Sequence, residues 1–220
     1  MSEKLVYKVT EGTGKSNRLK EVLQWVEAIL LAVIIAFLIR GFVFEPVYVE
    51  GESMENTLST AERLIVYKLG YYFNPPEKGD IIVLQYQEGI TGFLPFMNDI
   101  PIFKKAIPSI SEVDYIKRVV AVPGDKLDIR DGYVFLNDIK QEEPYLRENG
   151  VTYNQSLELP MVIPPERVAV MGDNRLNSRD SRQIGLIEYN RIKGKAIFRI
   201  WPREAIGGLY NTLKNAGEPK

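Results

Sequence analysis

A chain without histidine or cysteine must do any nucleophilic or acid-base work with other groups. No Ser-His-Asp or Cys-His arrangement is open to it, nor a metal site built on those ligands. What remains is a hydroxyl nucleophile served by lysine, aspartate, glutamate or tyrosine. Ser53 lies in "VEGESMENTL", residues 49–58, where it is either a surface hydroxyl in an acidic turn or a nucleophile. As a nucleophile it needs a base that is neutral at working pH. A lysine meets that condition when burial disfavours its ammonium form. Lowering its pKa from about 10.4 to about 8 costs roughly 3 kcal/mol, which folding can supply.

Lys117, in "YIKRVVAVPGD", stands among apolar and aromatic residues with strand character. Alternation puts Tyr115, Lys117 and Val119 on one face and Ile116, Arg118 and Val120 on the other. One assignment turns Lys117 inward and leaves Arg118 exposed; periodicity alone leaves the opposite assignment open. A third stretch, "MGDNRLNSRDSRQIG", residues 171–185, has the composition of a surface loop. Within it Asp180 and Arg182 are close enough to pair, and Ser178 and Ser181 supply hydroxyls that could orient another polar group.

The elements that must position these residues follow one another along the chain. Residues 1–21 form a polar tail with five basic residues, Lys4 to Lys20. The tail holds "GTGKS", but Val9 stands where a phosphate-binding loop needs glycine and no strand leads in, so no nucleotide site is expected. Residues 22–42 suit a transmembrane helix. Ala28–Ile39 is uncharged, Glu27 and Arg40 fall near the interfaces, and Trp25 sits where an interfacial aromatic belongs. The rivals are a buried core helix and a cleaved signal peptide, the latter weakened by bulky "RGFVF" after the apolar run. Basic residues before the span and Glu45, Glu50, Glu52, Glu55 and Glu62 after it put the N-terminus in the cytoplasm and the rest outside.

From 43 to 203 the pattern is that of an all-β domain. "RLIVYKL", "GDIIVLQY", "YIKRVVAV", "RVAVMGD" and "KAIFRIW" are β-rich runs, and "KLDIRDGYVFLND" is a hairpin turning at Asp131-Gly132. The apolar segment 89–110, with Lys104 and Lys105, either dips into a lipid interface or packs on its own domain. Residues 204–220 read as a tail without a role. Net charge of -1 gives no electrostatic case for nucleic acid, and 220 residues at 45% hydrophobic content suffice for one core.

"GESMENTL" after an apolar span, then "YIKRVVAVPGD", then "GDNRLNSRDSR" resembles, in order and character, the successive boxes of type I signal peptidases. "ERLIVYKL" and "EKGDIIVLQ" look like the intervening box, and the likeness runs from about residue 22 to 202. It implies a mainly β catalytic domain on one N-terminal transmembrane helix, cleaving signal peptides from secretory preproteins after a small residue, with no cofactor or metal. Its partners would be those preproteins and the lipid bilayer, with no nucleic acid. Ser53 takes the nucleophile's place and Lys117 the general base's. Ser178 matches a serine that hydrogen-bonds the lysine, and Asp180 with Arg182 a supporting pair. Val47, Val49, Met54, Leu58, Tyr115 and Ile116 would shape shallow apolar pockets. Two positions depart from the common pattern: Gly51 stands where some members carry an oxyanion-donating serine, and Asn56 where proline is usual. The alternatives are a specialised Ser/Lys peptidase with a single exported substrate and an inactive peptide-binding relative.

Overall fold

The computed structural model describes residues 14–87, 113–146 and 150–210. The apolar segment 89–110, residues 1–13 and the chain beyond Tyr210 lie outside the described residues.

The chain divides into two compact units between Ile39 and Arg40. The first contains one helix, α1, Gly14–Leu38, so the last residues of the expected polar tail are already helical. From Lys20 to Val43 the segment is long and apolar enough to cross a membrane, with mean hydropathy 2.6. Trp25 is 71% exposed and Val33 62%, and no protein surface covers the apolar side chains around them. A core helix buries such a surface; a helix that is apolar all round and uncovered suits lipid as its solvent.

The second unit is built from antiparallel strands. β1 (Phe44–Tyr48) pairs with β2 (Arg63–Tyr67), placing Tyr48 opposite Arg63. The sheet continues through β11 (Ile192–Trp201), β3 (Ile81–Gln87), β4 (Val113–Ala121), β9 (Arg167–Met171) and β10 (Ile187–Glu188). A smaller sheet runs β7 (Ile139–Lys140), β6 (Tyr133–Leu136), β5 (Lys126–Arg130), β8 (Met161–Val162). Pro46 lies within β1, which is tolerated because β1 is an edge strand bonded only to β2. The β5-β6 turn is the expected one: Asp131 and Gly132 have φ of 50° and 84°, the left-handed pair that a two-residue hairpin loop demands.

β4 is central, and both its faces are covered. Val119 packs with Ile82, Leu84, Val168 and Val170, whereas Val120 packs with Leu127, Val134 and Ile163. Arg118 therefore does not reach solvent as alternation between an inner and an outer face would have it; it is 1% exposed. The reason is a second covered face on which the guanidinium finds a carboxylate, Asp173.

The body also runs past residue 203. β12 (Gly207–Gly208) pairs with β11, Leu209 is buried in a cluster with Met54, Leu58 and Ile81, and the Ile81 N–H donates to Tyr210 Oη at 2.8 Å. The expected tail thus begins after a segment that packs on the core, because Leu209 supplies an apolar side chain to the cluster and Tyr210 a polar acceptor for the first residue of β3.

Candidate active site

Ser53 is carried by the loop 49–62 between β1 and β2. Val49 N–H donates to the Glu62 carbonyl at 2.9 Å and Ala61 N–H to the Val49 carbonyl at 3.0 Å, which closes the loop's base. Inside it the chain turns tightly: Glu55 N–H donates to Glu52, and Thr57 and Leu58 N–H both donate to the Met54 carbonyl. Gly51 has φ of 92°, a conformation in which glycine is the unstrained choice. Asn56 has φ of 83°, which proline cannot adopt, so the residue that departs from the family pattern suits the turn found here.

The Lys117 Nζ lies 2.7 Å from Ser53 Oγ and donates to the Ile116 carbonyl at 2.9 Å. Lys117 is 3% exposed, and its nitrogen stands 5.1 Å from the centre of the Tyr115 ring. Burial pushes its pKa down to about 8, while Asp180 and Asp173 pull upward. An amine with that pKa is neutral in about a tenth of molecules at pH 7 and in about half at pH 8, and in that form it can accept a proton.

The loop following β9 closes round this pair. Asn174 N–H donates to the Ser53 carbonyl at 3.0 Å, and Asn174 Nδ2 donates to the Glu52 carbonyl at 3.1 Å. Gly172 fits only because it lacks a Cβ, which would collide with Ser178 Oγ and with the Ser53 carbonyl. Asp180 caps α2 (Ser181–Ile184), accepts from Gly172 N–H at 3.0 Å and takes a two-point contact from Arg182, both bonds 2.8 Å. Burial alone would raise the Asp180 carboxyl, but the Arg182 guanidinium holds it below the ordinary range.

Of the residues singled out from sequence, Ser53 and Lys117 come into contact, and Asp180 pairs with Arg182. Ser178 does not bond the lysine. Its hydroxyl is buried against Gly172 and lies toward the Asp180 carboxylate, whose ionised form it helps to hold. The Lys117 amine is turned instead to Ser53 and the Ile116 carbonyl. Val49, Met54 and Leu58 are at most 3% exposed and form the core under the turn, so they offer no surface for a substrate. Val47, Tyr115 and Ile116 are half-buried, with Val47 and Ile116 packed on that same core.

Sequence reasoning missed a network that joins the three stretches. Arg118 donates from Nε and Nη2 to Asp173 at 2.8 and 2.6 Å, from Nη1 to the Gly79 carbonyl and from Nη2 to Thr57 Oγ1. Thr57 lies in the turn that carries Ser53, so residues next to Lys117, in that turn and in the β9 loop share one buried ion pair. The charge count gave no signal of it: the stretch 171–185 holds three arginines and two aspartates, and one exposed arginine already balances that count. Arg179 is exposed and Arg175, which is buried, pairs with Glu143.

A family model described as signal peptidase, peptidase S26, matches residues 22–201. The chain is 37% identical over 200 residues to signal peptidase I of Bacillus licheniformis, covering 87% of this chain and 94% of that protein. It is 36% identical over 197 residues to signal peptidase IB of Staphylococcus aureus, covering 83% and 91%. A crystal structure of a signal peptidase I from Enterococcus faecalis aligns with a TM-score of 0.38 at 23% identity, over 56% of this chain and 97% of that one. A family match across most of the chain, with relatives of that identity along nearly their whole length, places the chain in the peptidase S26 family of signal peptidases, membrane-anchored serine endopeptidases that remove signal peptides.

Proposed function

We propose that the chain cleaves secretory preproteins by a Ser53/Lys117 acyl-enzyme mechanism. One observation carries this reading: a buried lysine amine 2.7 Å from a serine hydroxyl in a chain without histidine. Neutral Lys117 accepts the Ser53 proton as Oγ bonds to the scissile carbonyl carbon. The resulting oxyanion is met by the Ser53 N–H. Collapse of this intermediate breaks the C–N bond, and the Lys117 ammonium returns its proton to the departing amine. A water, deprotonated by Lys117 in turn, then hydrolyses the Ser53 ester and frees the enzyme. The half-buried Val47, Tyr115 and Ile116 would bound shallow subsites that admit a small residue at the cleavage point and another two positions earlier.

The test is cleavage of a preprotein by the full chain in detergent. Ser53→Ala and Lys117→Ala should each lose at least a thousandfold in kcat, as removal of either member of a coupled nucleophile-base pair does in serine proteases. Near-full activity in either variant would overturn the reading.

The proposed topology has the N-terminus in the cytoplasm and the unit from Arg40 onward outside, supported by five basic residues before the span and an acidic stretch after it. Since the chain has no cysteine, single cysteines introduced at exposed Arg18 and Tyr153 report sidedness directly. In intact cells a membrane-impermeant maleimide should label position 153 and spare position 18; the reverse result inverts the topology.

A further inference from the structure

Arg175 is buried at 3% exposure, and every nitrogen of its guanidinium is engaged. Nε donates to the Gly172 carbonyl at 3.0 Å, Nη1 to Glu143 Oε2 at 3.0 Å and to Thr152 Oγ1, and Nη2 to Glu143 Oε1. Its own carbonyl accepts from Arg182 Nη2 at 2.9 Å. The side chain thus grips the loop after β9 at Gly172, the residue squeezed between Ser178 and the Ser53 carbonyl.

Glu143 comes from the segment after β7, in the smaller sheet's part of the unit, far from the loop in sequence. Its carboxylate side chain is 7% exposed and also accepts from Tyr145 Oη at 2.8 Å. The Tyr145 ring in turn covers the Arg118 guanidinium, 4.0 Å from the ring centre. Residues 143–145 therefore touch both the loop that abuts the nucleophile and the residue that follows the base. Three buried carboxylates, Glu143, Asp173 and Asp180, face three buried arginines, Arg175, Arg118 and Arg182, so the network is electrically balanced.

Deleting the Glu143 charge leaves Arg175 buried and uncompensated. A buried cation without its partner moves toward water or another acceptor, taking its contacts with it. Here the contact it takes is the one on Gly172.

We propose that Glu143 is a positioning residue for the reacting pair: through Arg175 it holds the Gly172 carbonyl, and with it the register of the β9 loop against Ser53. The proposal rests on the reading of Ser53 and Lys117 as nucleophile and base, and its test is separable from theirs. The full chain in detergent is titrated with a serine-acylating inhibitor, so that kcat on a preprotein-derived peptide with alanine at and two places before the cleavage site is expressed per reactive Ser53. A role confined to folding lowers the number of titratable sites and leaves kcat per site unchanged.

Glu143→Gln keeps the side-chain shape and removes the charge; kcat per site is expected to fall about tenfold with KM within twofold, since small misplacements of reacting groups have effects of at least that size. Glu143→Asp, which keeps the charge, should recover to within threefold of the parent. If Glu143→Gln yields no titratable sites, Arg175→Lys decides, because it preserves the charge balance and loses the Nε bond to Gly172; the same tenfold fall is expected. An unchanged kcat per site in whichever of these two variants folds overturns the proposal. Inactivity of Ser53→Ala is unaffected by either result, so failure of the Glu143 proposal leaves the dyad reading standing, whereas an active Ser53→Ala removes the dyad reading and with it the basis of the per-site measurement.

Discussion

At the scale of single residues, the site depends on a lysine held where its charged form is disfavoured. Burial lowers Lys117 from its ordinary 10.5 to about 8, against the pull of Asp180 and Asp173. The acidic limb of kcat/KM should accordingly lie near pH 8, activity rising as the amine deprotonates. The same shift has a stability consequence. Between pH 8 and 10.5 the unfolded chain keeps the lysine proton while the folded chain has released it, so the unfolded state binds more protons and stability rises with pH. Below pH 8 the penalty is present in full, about 3 kcal/mol; above 10.5 it vanishes. Lys117→Met should therefore be inactive yet more stable at pH 7, by about 5 °C in Tm once the lost bonds to Ser53 and Ile116 are allowed for. The difference should shrink as pH climbs through the window. A Lys117→Met variant no more stable than the parent at pH 7 would mean that Lys117 is not strained by burial. The absence of histidine narrowed the base to lysine, aspartate, glutamate or tyrosine; the resemblance to type I signal peptidases singled out Lys117 among them, and periodicity left open which face of β4 points inward.

At the scale of elements, what was legible followed from local rules and what was hidden depended on partners distant in the chain. The five β-rich runs all become strands of the main sheet, and the Asp131-Gly132 turn is written in two adjacent residues whose φ values only a few residue types accept. The covering of both faces of β4 is not written in β4. Alternation distinguishes its two faces but cannot say whether a second layer lies over the outer one, and for that reason Arg118 looked solvent-bound. The Arg175–Glu143 pair joins two loops 32 residues apart, and the count of charges in the stretch 171–185 did not reveal it, because the surplus arginine there, Arg179, is exposed. The tight approach of the β9 loop to the nucleophile's turn at Gly172 gives a direct test. Gly172→Ala adds one methyl that meets Ser178 Oγ and the Ser53 carbonyl. Overpacking of this kind costs about 1–3 kcal/mol. The affected neighbour is the backbone of the nucleophile, so kcat should fall by about a hundredfold. Adding Ser178→Gly removes only one of the two collisions, and the double variant should regain more stability than activity. A Gly172→Ala enzyme with parental kcat would show that the β9 loop can retreat without moving Ser53.

At the scale of the whole molecule, Ser53 comes from the β1-β2 connection, Lys117 from the centre of the main sheet, and the loop between them is braced from the smaller sheet. Any segment that fixes β3 and β4 therefore supports the proposed Ser53–Lys117 geometry even when it lies far from it in sequence. The end of the described chain is such a segment. Leu209 is 3% exposed in the cluster that contains Met54 and Leu58, directly under the nucleophile's turn. Tyr210 accepts the N–H of Ile81, and Ile81 stands opposite Arg118 in the β3-β4 register, one position from the Ile82–Lys117 pair. Removing residues from Gly207 onward deletes a buried leucine side chain, worth about 2–5 kcal/mol, and leaves the Ile81 N–H without its acceptor, at about 1–3 kcal/mol. The truncated chain in detergent should show a urea midpoint lower by about 2 M, given a slope of about 1–3 kcal/mol/M. Its kcat per titratable Ser53 should fall as well, because β3 loses its tether beside Lys117. Restoring residues 207–210 alone should recover both quantities. A truncated enzyme with an unchanged midpoint would show that β12 and Tyr210 add nothing to the ends of β11 and β3, and that the core beneath the Ser53 turn closes without them.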